Sequence, residues 1–203
     1  MLNRINMKTL TLQVAQISKE MGLLNDLLVT RPTGRHFQSL VKEVLEKPTL
    51  QTVILDFAGI RLMDASFADE VFGNIASERS RREATYTTAL FLRSLEEASL
   101  ENLDMALSSR TRREKNLRNS VIPHIQPDNT IKLLGKWEKH VEETFTLLVQ
   151  KIQLTTHELV DLLKIDIGAA STRLKVLYDL GLASRSETRN TDDKQYIYCL
   201  PLE

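Results

Sequence analysis

With Cys199 as its one cysteine, the chain closes no disulfide within itself, and such usage fits a reducing compartment. No run of about 18 apolar residues occurs, which excludes a membrane-spanning helix. Arg4 and Lys8 break up the N-terminal apolar patches, so the h-region of a secretory signal is missing and a cytoplasmic location is expected. Neither sign of charge is in excess: 27 Lys and Arg face 27 Asp and Glu. The chain as a whole therefore has no electrostatic pull on nucleic acid or an anionic membrane. With seven glycines it holds no glycine-rich phosphate loop. The four histidines, His36, His124, His140 and His157, are scattered, without metal-ligand spacing to one another or to the cysteine. No metal, no other cofactor and no catalytic residue is expected.

What is present is a chain of 203 residues, room for one large domain or two small ones, with 42% hydrophobic residues to build a core. Gln51 to Asn74 organises it. The apolar run Thr52-Val53-Ile54-Leu55 reads as a buried strand ending on Asp56-Phe57 and a turn at Gly59. Asp64-Ala65-Ser66 is an N-cap cluster, and Phe67, Val71, Phe72 and Ile75 follow at helical spacing. Upstream, Thr9 to Ile17 alternates like a strand, Leu23 to Val29 is a short strand or packed loop, and Pro32 starts a helix bearing Phe37, Leu40, Val41 and Leu45. Downstream, Thr85 to Leu92 reads as a strand and Ser94 to Arg113 as a helix. This order describes an α/β sandwich with a mixed sheet over residues 1–113.

The string V-I-L-D-F-x-G-I-x-x-x-D-x-S-F-A-D-E, from Val53 to Glu70, resembles the STAS-like domains, α/β modules related to bacterial anti-sigma-factor antagonists. Arg31-Pro32-Thr33-Gly34-Arg35 fits the start of the first helix in that group, and the resemblance spans residues 8 to 113. It implies a protein partner docking near Asp64, Ser66, Asp69 and Glu70. In the antagonists the helix begins Asp-Ser-Ser and the first serine is phosphorylated; here Ala65 takes that place and Ser66 alone remains, as a helix cap. The clustered acids Asp56, Asp64, Asp69 and Glu70 have the makings of acid–base chemistry, but capping and loop hydrogen bonds account for Asp56 and Asp64 more simply.

Arg110, Arg112, Arg113, Lys115 and Arg118 with Pro123 and Pro127 mark residues 114–134 as a basic, proline-containing linker. The basic run is a solvated helix end or a phosphate-contacting patch. From Lys132 the pattern is helical, with Leu133, Leu134, Trp137, Val141, Phe145 and Leu148, and Trp137 is expected in a core. Thr155-Thr156 and Asp166 cap two further helices, and Gly181 stops the last. Two strands close the chain, Ala183 to Glu187 and Gln195 to Leu200, with Cys199 packed as a small hydrophobe. Three helices and a hairpin over 135–203 make a winged helix-turn-helix domain of the α+β class. LTTHELVDLLKIDIGAASTRLKVLYDLGLASR resembles the bacterial winged-helix DNA-binding pattern over residues 141 to 201. That resemblance implies a transcription regulator binding double-stranded DNA through Thr156, Ile167, Gly168, Ala169, Ser171, Thr172, Arg173 and Lys175, with Arg185, Arg189 and Lys194 on the wing. A homodimer on a palindromic site would be its natural assembly. Residues 151–203 nonetheless hold seven basic against eight acidic side chains, a net of −1, where a DNA footprint normally shows a basic excess. The alternative is a protein-interaction switch that touches no nucleic acid.

Overall fold

The computed structural model describes residues 8–23, 26–190 and 193–202, with the side chains of 188–190, 193 and 194 left aside. Its frame is a five-stranded sheet. The run expected as a buried strand is β3 in the chain order β1 (Thr9–Gln13), α1 (Val14–Glu20), β2 (Leu27–Leu28), α2 (Arg31–Leu45), β3 (Thr52–Asp56). All five residues of β3 are buried, with β1 and the later strand Ala89–Arg93 in parallel register on either side. The chain continues through β4 (Leu62–Met63), α3 (Ala65–Ala68), a π-helical segment Asp69–Gly73 and α4 (Asn74–Ser80), which together make one helix. After β5 (Ala89–Arg93) come α5 (Glu97–Arg113), β6 (Ser120–Ile125) and β7 (Ile131–Lys136). The sheet runs β1-β3-β5-β6-β7, parallel but for β7, so it is a mixed sheet with helical crossovers, as parallel pairing requires. Thr9 to Ile17 is strand only as far as Gln13, since the chain turns into α1 at Val14.

The segment 114–134, expected as a linker, is instead folded into the sheet: it contains β6 and most of β7. Its strands are walls with a core on each side. Ile122 and Leu134 point into the cluster built by α2, β3 and the helix from Ala65, whereas Val121 and Leu133 point into the cluster of the C-terminal helices. Side chains alternate faces along a strand, so a period of two was hidden in a segment whose polar flanks read as loop. Both prolines are accommodated. Pro123 precedes the two residue pairs over which β6 meets β5, and Pro127 lies in the hairpin turn between β6 and β7. The helix expected from Lys132 starts at Lys139, after β7.

The C-terminal lobe consists of α6 (Lys139–Lys151), β8 (Gln153–Thr155), α7 (Thr156–Leu163), α8 (Ile167–Asp179), β9 (Ser184–Asn190) and β10 (Asp193–Cys199). Its sheet is antiparallel, in the order β8-β10-β9. Thr155 and Glu158 form a reciprocal capping box: the Glu158 N–H donates to Thr155 Oγ1 at 3.2 Å, and the Thr155 N–H donates to Glu158 Oε2 at 2.7 Å. Asp166 Oδ1 accepts from the Ala169 N–H at 2.9 Å and so starts α8. Lys164 ends α7 in the left-handed conformation. Trp137 packs against this lobe's core.

The two lobes are joined by more than the chain. Arg79, at the end of α4, is wholly buried and donates to the carbonyls of Thr88 (2.6 Å) and Leu180 (3.5 Å). Gly181 makes that approach feasible: its φ is +70°, and a Cβ there would stand 2.5 Å from the Arg79 guanidinium. Arg82 pairs with Asp179 at 2.8 Å. At the chain's far end Thr52 donates to the Pro201 carbonyl, and Leu202 packs on Ile54 and Phe91.

Candidate functional site

Two surfaces carry the candidate residues. The first lies where the helix from Ala65 begins. Asp64, not Ser66, caps it: Asp64 Oδ1 accepts from the Phe67 N–H at 2.7 Å, and Oδ2 accepts from the Thr30 N–H at 3.3 Å. Ser66 is exposed in the first turn. Thr30 holds φ at +72°, a conformation a β-branched residue rarely adopts. Such strain persists only where the surroundings hold it, and here it sits beside Arg31 at the start of α2.

Asp69, buried in the π-helical segment, is the hub of this corner. Arg110 Nε meets its Oδ1 at 2.7 Å, Arg113 Nη2 meets the same oxygen at 2.8 Å, and Arg31 Nη2 meets Oδ2 at 2.7 Å. Burial pushes the Asp69 carboxyl up, but hydrogen bonds from Arg110 and Arg31 and the charges of Arg110 and Arg113 outweigh it and hold the group below its usual value. Arg31 also bonds Glu70, at 3.1 Å. The local widening of the helix brings Asp69 under α5, and single π turns of this kind are frequent at functional sites. An open depression of about 310 Å³ lies over the cluster, lined by Arg31, Ser66, Asp69, Ser109 and Arg113. Asp56, also singled out in the sequence, is tied up nearer the sheet. Burial raises its carboxyl, and hydrogen bonds from the Ala58 N–H and from Arg93 bring it below the usual range.

The sequence pattern marks Asp69 but not its three arginines. Arg110 and Arg113 belong to the run expected as a solvated helix end or a phosphate-contacting patch; Arg110 is largely buried against Asp69, and Arg113 reaches the same oxygen while staying exposed. Their i, i+3 spacing on α5 was the available signal, because it puts both on one helix face.

The second surface belongs to α8. Gly168, Ser171, Thr172 and Lys175 are exposed at the i, i+3, i+4, i+7 spacing of a single stripe, while Ala170, Leu174 and Leu177 are buried on the other side. Ile167 is exposed at the start of the helix and Ala169 is half-buried; Thr156 is half-buried in the first turn of α7. Arg173 leaves the stripe and binds Glu143 of α6 at 2.6 Å. Lys175 binds Asp179 one turn on, at 2.8 Å. Arg185 lies between the rings of Tyr178 and Tyr196, 4.5 and 4.3 Å from their centroids, a paired cation–π contact. The side chains of Arg189 and Lys194 lie outside the described residues. Of the basic residues that the sequence grouped, Arg173 and Lys175 thus meet acidic neighbours and Arg185 packs on tyrosines. Among the described residues no three His, Cys, Asp or Glu side chains gather as a metal-holding group, and no helix is long and apolar enough to cross a membrane.

Residues 34–89 match the family model of a STAS-like domain of unknown function (DUF4325). The matched span runs from α2 to the first residue of β5 and contains β3, Asp64 and the Asp69 hub. The α/β fold with its mixed sheet agrees with that match. No curated protein matches the chain.

Proposed function

We propose that the chain is a DNA-binding regulator: a C-terminal winged helix-turn-helix that docks α8 in a major groove, with the STAS-like lobe as its protein-binding input or dimer contact. The order α6, β8, α7, α8 and the hairpin β9-β10 is that of a winged helix, which supports the reading. The observation that carries it is the α8 stripe. Gly168, Ser171 and Thr172 are small and exposed, so the helix backbone can approach base edges closely, with Lys175 beyond them. Arg173, paired with Glu143, belongs to the scaffold rather than to the contact set. On the first lobe, the Asp69 hub and Ser66 present the surface for a protein partner.

The test is fluorescence anisotropy with duplex from upstream of the protein's own gene, against scrambled duplex, over a salt series. Specific binding that weakens with salt is expected, because each neutralised phosphate adds about 0.9 to the slope of log affinity against log salt. The double variant Ser171→Glu, Thr172→Glu should lose at least about tenfold in affinity, since charge repulsion replaces contacts worth about 1–3 kcal/mol each. Arg173→Ala should bind nearly as the wild type does. Affinity unchanged by the double variant would refute the groove assignment.

A second reading, a protein-interaction switch without nucleic acid, is favoured by one observation: Arg173 and Lys175 are both neutralised by Glu143 and Asp179. No binding to either duplex, even at low salt, would select it.

A further inference from the structure

The pocket between the lobes holds more positive charge than the protein neutralises. It encloses about 230 Å³, and its lining includes Arg79, Arg82, Tyr86, Lys175, Tyr178 and Asp179. Arg79 is the unusual member. Only 2% of it is exposed, yet among the described residues no carboxylate comes within ion-pair distance, and its partners are two carbonyls and the face of Tyr86 at 5.4 Å. The carboxylate whose charge acts on it, Glu78, is engaged by Lys42. A buried guanidinium without an anion is costly, and burial indeed disfavours its charged form. Asp179 is the one acid of the lining, and it already serves Arg82 and Lys175, both at 2.8 Å. Three cations against one carboxylate leave the pocket with two unmatched positive charges.

We propose that this pocket binds a small molecule through a phosphate dianion, with Arg79, Arg82 and Lys175 as its ligands and Asp179 occupying the cation pair when the molecule is absent. The unmatched charge equals that of a phosphate monoester, and arginine's planar fork suits phosphate oxygens. Both lobes supply the walls: Arg79, Arg82 and Tyr86 come from the STAS-like lobe, and Lys175, Tyr178 and Asp179 from α8. Lys175 is also the last residue of the exposed α8 stripe, so the bound phosphate would tie the input lobe to that helix. Binding itself does not depend on whether α8 meets DNA.

Calorimetric titration of the full chain with inorganic phosphate and with pyrophosphate, at constant ionic strength set by chloride, tests the proposal. Saturable one-to-one binding is expected, weakened at least about tenfold in Arg82→Ala, Lys175→Ala. Asp179→Asn, which removes the internal competitor and stays nearly isosteric, should bind phosphate several-fold more tightly. A merely structural Asp179 would not produce that gain. Because Arg79 is buried, Arg79→Lys is paired with circular dichroism, and a folded variant should lose phosphate affinity. Absent binding, or binding indifferent to Arg82, Lys175 and Asp179, would overturn the site. If Asp179→Asn instead tightened DNA binding with no response to phosphate, these residues would be backbone contacts and the effector site would fall, leaving the α8 reading in place.

Discussion

Asp69 shows what a single side chain sets in this protein. Its carboxyl is nearly buried, at 6% side-chain exposure, and accepts from three arginines. Because its folded pKa lies below the ordinary 3.8, the stability it contributes is fully present above that value. As pH falls through the lowered folded value the contribution is lost. Asp69→Asn should therefore destabilise the protein at pH 7 by about 3 kcal/mol, the usual cost of leaving a buried ion pair half-made. Urea unfolding of wild type and variant across pH 7 to 3 checks this. The gap should narrow as pH falls below 3.8, and one that stays constant with pH would show that Asp69 acts through shape and not charge.

At the scale of the element, the helix from Ala65 to Ser80 is organised by its π-helical middle. Gly73 belongs to that middle, and a Cβ on it would lie 2.6 Å from Arg110 Nε and 3.0 Å from Asp69 Oδ1. In an ordinary helix interior, glycine to alanine gains about 1 kcal/mol. Here the added methyl must push Arg110 off Asp69, so the sign reverses. Gly73→Ala should lower the Tm, by about 2–4 °C for each kcal/mol lost at this chain length. A raised Tm in thermal unfolding would mean that the arginine has room to move aside.

At the scale of the whole molecule, two cores share the wall made by β6 and β7. Leu133 projects from that wall into the C-terminal core, while its neighbour Leu134 projects into the first. Leu133→Ala should cost about 2–5 kcal/mol. It should do so in one cooperative transition, with Trp137 fluorescence, which reports the C-terminal lobe, and far-UV circular dichroism, which reports both, moving together. Transitions that separate, with the Trp137 signal lost first, would mean that the lobes unfold independently in spite of the shared strands and the Arg79 bonds.

Local patterns with a physical signature are legible in the chain itself. The apolar run at Thr52 is the buried β3. Asp166 caps α8, Thr155 forms its box with Glu158, and the amphipathic spacing of α8 marks its buried side. These features are decided by neighbours within a few residues. The strands β6 and β7 are not legible, because two prolines and basic flanks imitate a linker and each strand divides its apolar residues between two cores. Nor is the fate of charge: Arg110 and Arg113 look solvated and bind Asp69, while Arg173 and Lys175 look ready for DNA and bind acids. What the sequence by itself determined was the elements with a short-range signature, β3 and the capped helices α7 and α8 among them, and the match of residues 34–89 to a STAS-like family model. Only the tertiary structure decided which charges are cancelled and which, like that of Arg79, are left over. Ion pairing joins residues as far apart in the chain as Arg82 and Asp179, and burial rather than composition sets its strength.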